Sequence, residues 1–139
     1  MRFGVARVGI WNYTCARIAE RPLFGHGLDS VHAVRDHIQV RWMDMRGIPS
    51  HPHSATLHIW YDTGGIGALL AAAALIAGGW ALARALSGNR PAAAAACAAL
   101  ASLGIIFNVS FGAWAEWWDV TMVLAGTLIA AFAIKAAKA

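Results

Sequence analysis

The sequence predicts an all-α integral membrane protein. An extracytoplasmic N-terminal region with short amphipathic helices is followed by three transmembrane helices. The chain is 59% apolar and only 13% charged, which is unlike a typical soluble domain. Seven of the eleven basic residues and all six histidines fall within residues 1–62, whereas the rest is mostly apolar. We therefore divide the chain into a polar loop region, residues 1–63, and a membrane region, residues 64–139.

The polar region is predicted to begin with a helix over residues 5–20, because apolar residues recur at helical spacing from Val8 to Ile18. This helix either lies on the membrane surface or packs against the rest of the domain. Pro22 ends it, since the residue before a proline avoids the helical conformation. A short helix is possible over residues 30–40, and another is expected to begin near Ser54, a good N-cap residue.

Three apolar runs follow, over residues 64–86, from 91 to about 111, and from about 120 to 134. A membrane-spanning helix needs roughly 20 apolar residues. The first two runs reach that length, and the third does so if Trp118 and the stem of Lys135 fill the interface. A soluble hairpin of alanine-rich helices is the alternative, but too little polar sequence remains to cover three such helices.

The loops between the runs predict the orientation. Arg84 and Arg90 flank the turn "SGNR", and Lys135 and Lys138 follow the third run, whereas "GAWAEWWD" has three tryptophans and no basic residue. Short basic loops stay cytoplasmic, and tryptophan prefers the membrane interface. The first turn and the C-terminus are therefore predicted to be cytoplasmic. The arginine-rich N-terminal region argues the other way, but it approaches the length of roughly 60 residues beyond which loop charge stops deciding orientation.

Three histidines, His51, His53 and His58, crowd the segment before the first apolar run. They could bind a metal, although their spacing matches no standard zinc site and no cysteine joins them. One of them could instead accept a proton or hold an anionic group, since imidazole is the natural general base at neutral pH. They could also be ordinary surface histidines, and the residues alone leave these alternatives open.

Two arginines, Arg7 and Arg21, are predicted on the first helix and at its exit. The planar, permanently charged guanidinium suits a lipid-linked phosphate. Contact with lipid headgroups, or simple solubility, explains them equally well. The net charge of +4 fits anionic lipids or a phosphate-bearing substrate. No nucleic-acid partner is expected.

Three segments follow one another in the polar region: "RVGIW" (7–11), "RPLFGHGLD" (21–29) and "HPHSATLHIWYDTGGIG" (51–67). In this order they resemble the C-terminal part of the O-antigen ligase and polymerase superfamily. The family pattern is an arginine shortly before a tryptophan, a Pro-Leu-x-Gly-x-Gly loop, and a His-Asn pair with an acidic residue nine positions after the histidine. Glycines then lead into a membrane helix. The segment "NVSFGAWAEWWDV" also resembles the hairpin between the last two family helices.

The resemblance implies a bacterial inner-membrane enzyme that moves a glycan from an undecaprenyl diphosphate carrier, on the periplasmic side. The acceptor would be the lipid A core in a ligase, or another carrier-linked repeat in a polymerase. No metal and no other cofactor is implied. His53 would activate or orient the acceptor hydroxyl, and Arg7 would bind the leaving diphosphate.

Three further residues are assigned by the resemblance to substrate binding. Arg21 is a second candidate for the diphosphate. Asp62 stands at the acidic position and would orient a neighbour or hydrogen-bond the loop. Ser54 replaces the usual asparagine and lacks its amide.

The chain is shorter than family members, which have many more membrane helices. We therefore expect a fragment, cut from a longer chain at "MRFGVARVGIW", or a partner of a separately encoded N-terminal half. Membrane lipids are the other expected partners. Two alternatives remain open: a non-catalytic remnant or scaffold of the family, and a small membrane protein that binds a metal through its histidines.

Overall fold

A computed structural model of the chain describes residues 2–110 and 113–138. Within them, the protein is mostly helical. The helices are α1 (Arg2–Glu20), α2 (Ala55–Ala85), α3 (Arg90–Val109) and α4 (Glu116–Lys138). Between α1 and α2 lie a 3-10 turn (Ser30–Ala33) and two antiparallel strands, β1 (His37–Val40) and β2 (Met43–Arg46). The chain forms two compact units: the first holds residues 1–70 and 107–114, and the second holds residues 71–106 and 115–139.

Helix α1 covers the predicted helix over residues 5–20 and ends at Glu20, two residues before Pro22. One face of α1 is buried, with Ile10 and Ile18 in the interior of the first unit. Thr14 lies between them and is also buried, and its hydroxyl donates to the Ile10 carbonyl oxygen at 2.8 Å. That bond satisfies a polar group which would be costly to bury alone.

The all-α prediction is wrong in one detail, because a β-hairpin follows the 3-10 turn. The helix considered for residues 30–40 forms only as the turn Ser30–Ala33, and β1 begins at His37. In β1 the side chains alternate between exposed and half-buried, the period of a strand with one covered face. Ile38 and Val40 are β-branched and favour this conformation. Arg41 turns the chain with φ 58°, so that Val40 pairs with Met43.

The hairpin packs against α1 and closes the core of the first unit. Gly9 of α1 lies so close to Val40 that a Cβ atom at Gly9 would collide with the Val40 side chain. The Tyr13 hydroxyl donates to the Asp36 carboxylate at 2.5 Å, just before β1. The core itself is formed by buried residues from α1, the turn, the loop after β2, and α2. They are Ile18, Val31, Val34, Ile48 and Tyr61.

Helix α2 is interrupted at Gly64, where the backbone has φ 67° and ψ −171°. It begins where predicted, since the Ser54 hydroxyl accepts the Leu57 N–H at 3.4 Å as an N-cap. The interruption separates a short first segment from the long apolar run. It falls at the predicted start of that run, where glycine supplies a positive φ without a Cβ clash.

A loop over residues 22–28, here called the 22–28 loop, inserts into this interruption. It supplies partners for backbone groups that an unbroken helix would pair internally. The four bonds are His26 N–H to Tyr61 O (2.9 Å), Gly27 N–H to Asp62 O (2.9 Å), Gly65 N–H to Pro22 O (2.7 Å) and Ile66 N–H to Leu23 O (3.3 Å). The 22–28 loop and the start of the apolar run are therefore held together through the backbone.

The second unit consists of apolar helix. Asn89 begins α3, because its side-chain oxygen accepts the Ala92 N–H at 3.0 Å. Leu86 and Ala96 are buried, with Leu82 and Ile129 packed against them. Most other large apolar side chains of this unit are exposed, as expected of helices that face lipid.

Among the described residues, α2 and α3 are long and apolar enough to cross a membrane. Helix α4 forms over the third predicted run, but its crossing and the orientation of the chain stay predictions. The predicted end of the second run near Phe111 lies outside the described residues.

Candidate functional site

His53 lies between Pro52 and the start of α2, and it is half-buried. Its backbone has φ 53°, a left-handed conformation that is uncommon for residues other than glycine. Its ring Nδ1 lies 3.1 Å from the carbonyl oxygen of Ser110. Because a carbonyl oxygen only accepts, this bond places the proton on Nδ1 and leaves a lone pair on Nε2. In this tautomer the ring can accept a proton at Nε2.

His51 stands beside His53, with the two ring centroids 4.3 Å apart in an edge-on arrangement. Burial lowers the pKa of His51 to about 4, and repulsion from His53 and then His58 adds to this. His51 is therefore a neutral neighbour of His53 at neutral pH.

Ser54 is buried and uses its hydroxyl within the protein. Besides capping α2, the hydroxyl donates to the side-chain oxygen of Asn108 at 3.4 Å. Asn108 lies in the last turn of α3, and its oxygen also accepts the Thr56 N–H (3.2 Å) and the Thr56 hydroxyl (2.6 Å). The amide that the Ser54 position lacks is thus present nearby on Asn108.

Asp62 lies at the centre of a buried hydrogen-bond cluster, and its side chain is completely inaccessible. One oxygen accepts the Asp29 N–H at 2.8 Å and the Trp114 indole N–H at 2.6 Å. The other accepts the Ser30 hydroxyl at 3.0 Å. These bonds join the loop before the 3-10 turn, α2 and the segment after α3. Of the roles considered for Asp62, this geometry fits the hydrogen bonding of the loop.

His58 completes this cluster. Its Nδ1 accepts the Ala113 N–H at 3.0 Å, and its Nε2 lies 3.5 Å from Asp62 Oδ2. Since Nδ1 accepts, the neutral ring carries its proton on Nε2, facing the Asp62 carboxylate. The two ring nitrogens of His58 therefore face the Ala113 N–H and the Asp62 carboxylate. In the part of the chain that the structure describes, no three potential metal ligands come together.

Arg7 is half-buried on α1, one helical turn before Trp11. The Trp11 indole N–H donates to the Pro52 carbonyl oxygen at 2.8 Å, next to His53. Residues four apart share a helix face, so the face of α1 that carries Arg7 and Trp11 is tied to the His53 segment. Within residues 2–110 and 113–138, the Arg7 guanidinium makes no hydrogen bond or ion pair.

Arg21 is exposed and lines a cavity of about 350 Å³ in the first unit. Arg17 and Arg35 also line it, and so does the Asp36 carboxylate, so its wall carries three guanidinium groups against one carboxylate. Arg17 is paired with Glu20 at 2.7 Å. Arg7 is not among the lining residues, so the two arginines do not share this cavity.

Three participants were not singled out as site residues from the sequence: Asn108, the Ser110 carbonyl and Trp114. Asn108 and Ser110 lie at the end of the second apolar run and Trp114 lies just after it, in the segment "NVSFGAW", where two polar side chains interrupt a hydrophobic stretch. These polar residues are the sequence feature that indicates a role for this segment. The sequence does not show their contact with residues more than 50 positions earlier in the chain.

Two apolar helices long enough to cross a bilayer, and a polar unit in which one His53 ring nitrogen is held by a backbone carbonyl, are the features of a membrane protein with a structured polar region. The comparisons identify the family within that class. A family model described as O-antigen ligase matches residues 4–72, a segment that contains all five predicted site residues. The chain belongs to the O-antigen ligase family. Curated proteins and solved structures give no match. Family membership supports a glycosyltransferase-like role in lipopolysaccharide biosynthesis.

Proposed function

We propose that this chain is the C-terminal portion of a glycosyltransferase that moves a glycan from undecaprenyl diphosphate to a lipid A core or glycan acceptor. The observation that carries the proposal is the bond between His53 Nδ1 and the Ser110 carbonyl, which leaves Nε2 as a base. His53 lies within the segment that the family model matches, residues 4–72, and Ser110 lies beyond it.

In the proposed reaction, the acceptor hydroxyl oxygen attacks the anomeric carbon of the donor sugar. The bond from that carbon to the diphosphate oxygen breaks, and the electron pair leaves with the diphosphate. The hydroxyl proton passes to His53 Nε2. Arg7 stabilises the charge that grows on the diphosphate, and such electrostatic stabilisation is effective when the charged group is already in place.

Arg21 is a second candidate for holding phosphate. The cavity that it shares with Arg17 and Arg35 has more guanidinium groups than carboxylates, since Asp36 is the one acidic residue in its lining, and this charge suits an anionic carrier headgroup. Asp62 and Ser54 act in this proposal through the segments that they hold. Asp62 holds Asp29 and Ser30, just after the 22–28 loop, and Ser54 holds the start of α2.

The proposed location is the bacterial inner membrane, with residues 1–63 in the periplasm and the C-terminus in the cytoplasm. Family membership and the apolar helices support the membrane location, and the basic turn "SGNR" supports the proposed orientation. The remaining carrier groove would come from further parts of the same protein or from a separately encoded N-terminal half.

A cell-based experiment tests the proposal. The gene is expressed with all its natural flanking sequence in its host, with the native copy deleted, and surface glycan is measured by gel electrophoresis. We expect His53→Ala and Arg7→Ala to abolish glycan transfer while the protein remains in the membrane. His51→Ala, which changes the neighbouring imidazole, is the matched control and should retain glycan. Normal glycan in both test variants would instead favour a non-catalytic scaffold.

A further inference from the structure

The 22–28 loop exposes three large apolar side chains. Leu23 is 60% exposed, Phe24 77% and Leu28 72%. The remainder of the loop is well fixed: Gly25 is buried against the Asp62 backbone, where a Cβ atom would collide. Exposed apolar groups on a fixed backbone are a typical feature of a surface that contacts a partner or a membrane.

The backbone of the loop sets where these side chains lie along α2. Pro22 and Leu23 accept the N–H groups of Gly65 and Ile66, the first residues of the apolar run. Gly64 approaches Leu23 so closely that a Cβ atom at Gly64 would collide with the Leu23 carbonyl. Leu23 and Phe24 therefore stand beside the first turn of the helix segment that enters the membrane.

The neighbouring surface of α2 is apolar on both sides of this level. Trp60 is exposed just before the interruption, and Ile66, Leu69 and Leu70 are exposed just after it. Tryptophan is enriched at the membrane–water interface. The exposed side chains of the loop thus continue the apolar surface that α2 presents to lipid.

We propose that the 22–28 loop is a membrane-seating wedge, with Leu23, Phe24 and Leu28 inserted into the lipid bilayer at the interface. The backbone groups at the helix break are paired with the loop, so the break can sit at this depth without unsatisfied polar groups. The wedge fixes the height of the first unit relative to lipid. This inference goes beyond glycan transfer and rests only on the crossing of the membrane by α2.

Spin labelling tests the wedge in the full chain. Cys15→Ser and Cys97→Ser remove the free cysteines, and Phe24→Cys carries a nitroxide. The protein is placed in nanodiscs of phosphatidylethanolamine and phosphatidylglycerol. Collision with oxygen, which concentrates in lipid, is compared with collision with a water-soluble nickel chelate. Leu69→Cys on α2 is the lipid reference, and Gln39→Cys on β1, exposed in the structure, is compared as a second surface site.

We expect the Phe24 label to collide several-fold more with oxygen than with nickel, as at Leu69. A label dominated by nickel would overturn the wedge while leaving α2 in the membrane. An immobilised label that neither reagent reaches would also overturn it, because protein, such as a second copy, would then cover the loop. A nickel-dominated label at Leu69 would remove the membrane placement of α2, and the wedge with it. Leu28→Cys repeats the test if Phe24→Cys fails to fold.

Discussion

At the scale of single residues, the predicted site residues divide by the partners of their side chains. His53 keeps one ring nitrogen available because the other is held by a backbone carbonyl. The side-chain oxygen atoms of Asp62 and Ser54 are instead hydrogen-bonded within the protein. Sequence reasoning identified all three positions through the family pattern. It could not separate these roles, because the partners Asn108, Ser110 and Trp114 are remote in sequence.

The Asp62 cluster predicts a large stability effect. Asp62→Ala would leave the Trp114 indole, the Asp29 N–H and the Ser30 hydroxyl without their acceptor, at a cost on the order of 3 kcal/mol. Asp62→Asn keeps one oxygen and should cost less. The free energy of unfolding in detergent measures both. The exposed Asp44→Ala serves as control and should change it by about 0.5 kcal/mol or less. Equal effects at Asp44 and Asp62 would contradict the cluster.

His51 predicts a dependence of stability on pH. Its pKa is lowered to about 4 in the folded protein, against an ordinary value of 6.5, so the unfolded chain takes up the proton first. The contribution of His51 to stability is therefore complete above about pH 6.5 and is lost as the pH falls toward 4. His51→Gln should lose less stability than the wild type across this window in unfolding experiments. Identical pH profiles would show that His51 has an ordinary pKa.

At the scale of elements, the interruption of α2 explains both a success and a failure of sequence reasoning. The start of a helix near Ser54 was predicted from a capping residue, and the start of the apolar run at Gly64 was predicted from a glycine cluster. Both are local features of the sequence. The insertion of the 22–28 loop was not predicted, because it depends on backbone bonds across about 40 residues. The hairpin at His37–Arg46 was missed because strand pairing is a property of two segments, each too short to be distinctive.

The interruption at Gly64 predicts that substitution by alanine affects stability differently at two glycines of α2. Gly64→Ala places a Cβ at φ 67° against the Leu23 backbone and should destabilise the protein by about 1–3 kcal/mol. Gly78→Ala lies in the same helix with open space around it. It should be neutral or stabilise by up to about 1 kcal/mol, since alanine is the better helix former. Thermal unfolding in detergent measures both variants. A Gly64→Ala variant as stable as Gly78→Ala would contradict the interruption.

At the scale of the whole molecule, the membrane class was predictable from composition and run length, because lipid requires long, uninterrupted apolar helices. The family was recognisable from the order of several short motifs, and the match over residues 4–72 confirms it. The site could be predicted only as a set of positions. Its geometry depends on the end of α3 and the segment after it, because Asn108, Ser110 and Trp114 belong to the first unit.

The orientation predicts which loops a membrane-impermeant reagent reaches. Cysteines introduced at Ser50 and at Ser87, in the turn "SGNR", would report on opposite sides of the membrane. In a Cys15→Ser, Cys97→Ser background, a maleimide that crosses only the outer membrane should label Ser50→Cys in whole cells. It should label Ser87→Cys only after lysis. The reverse pattern would contradict the proposed topology.

The central claim, that His53 accepts the proton of the acceptor hydroxyl, is tested most directly by single-turnover glycan transfer. The complete natural protein is purified and given undecaprenyl diphosphate-linked glycan and acceptor, and the rate is compared among wild type, His53→Ala and His51→Ala. Loss of a positioned general base should slow transfer by about 10²–10⁴-fold in His53→Ala alone. Equal rates in wild type and His53→Ala would contradict the account.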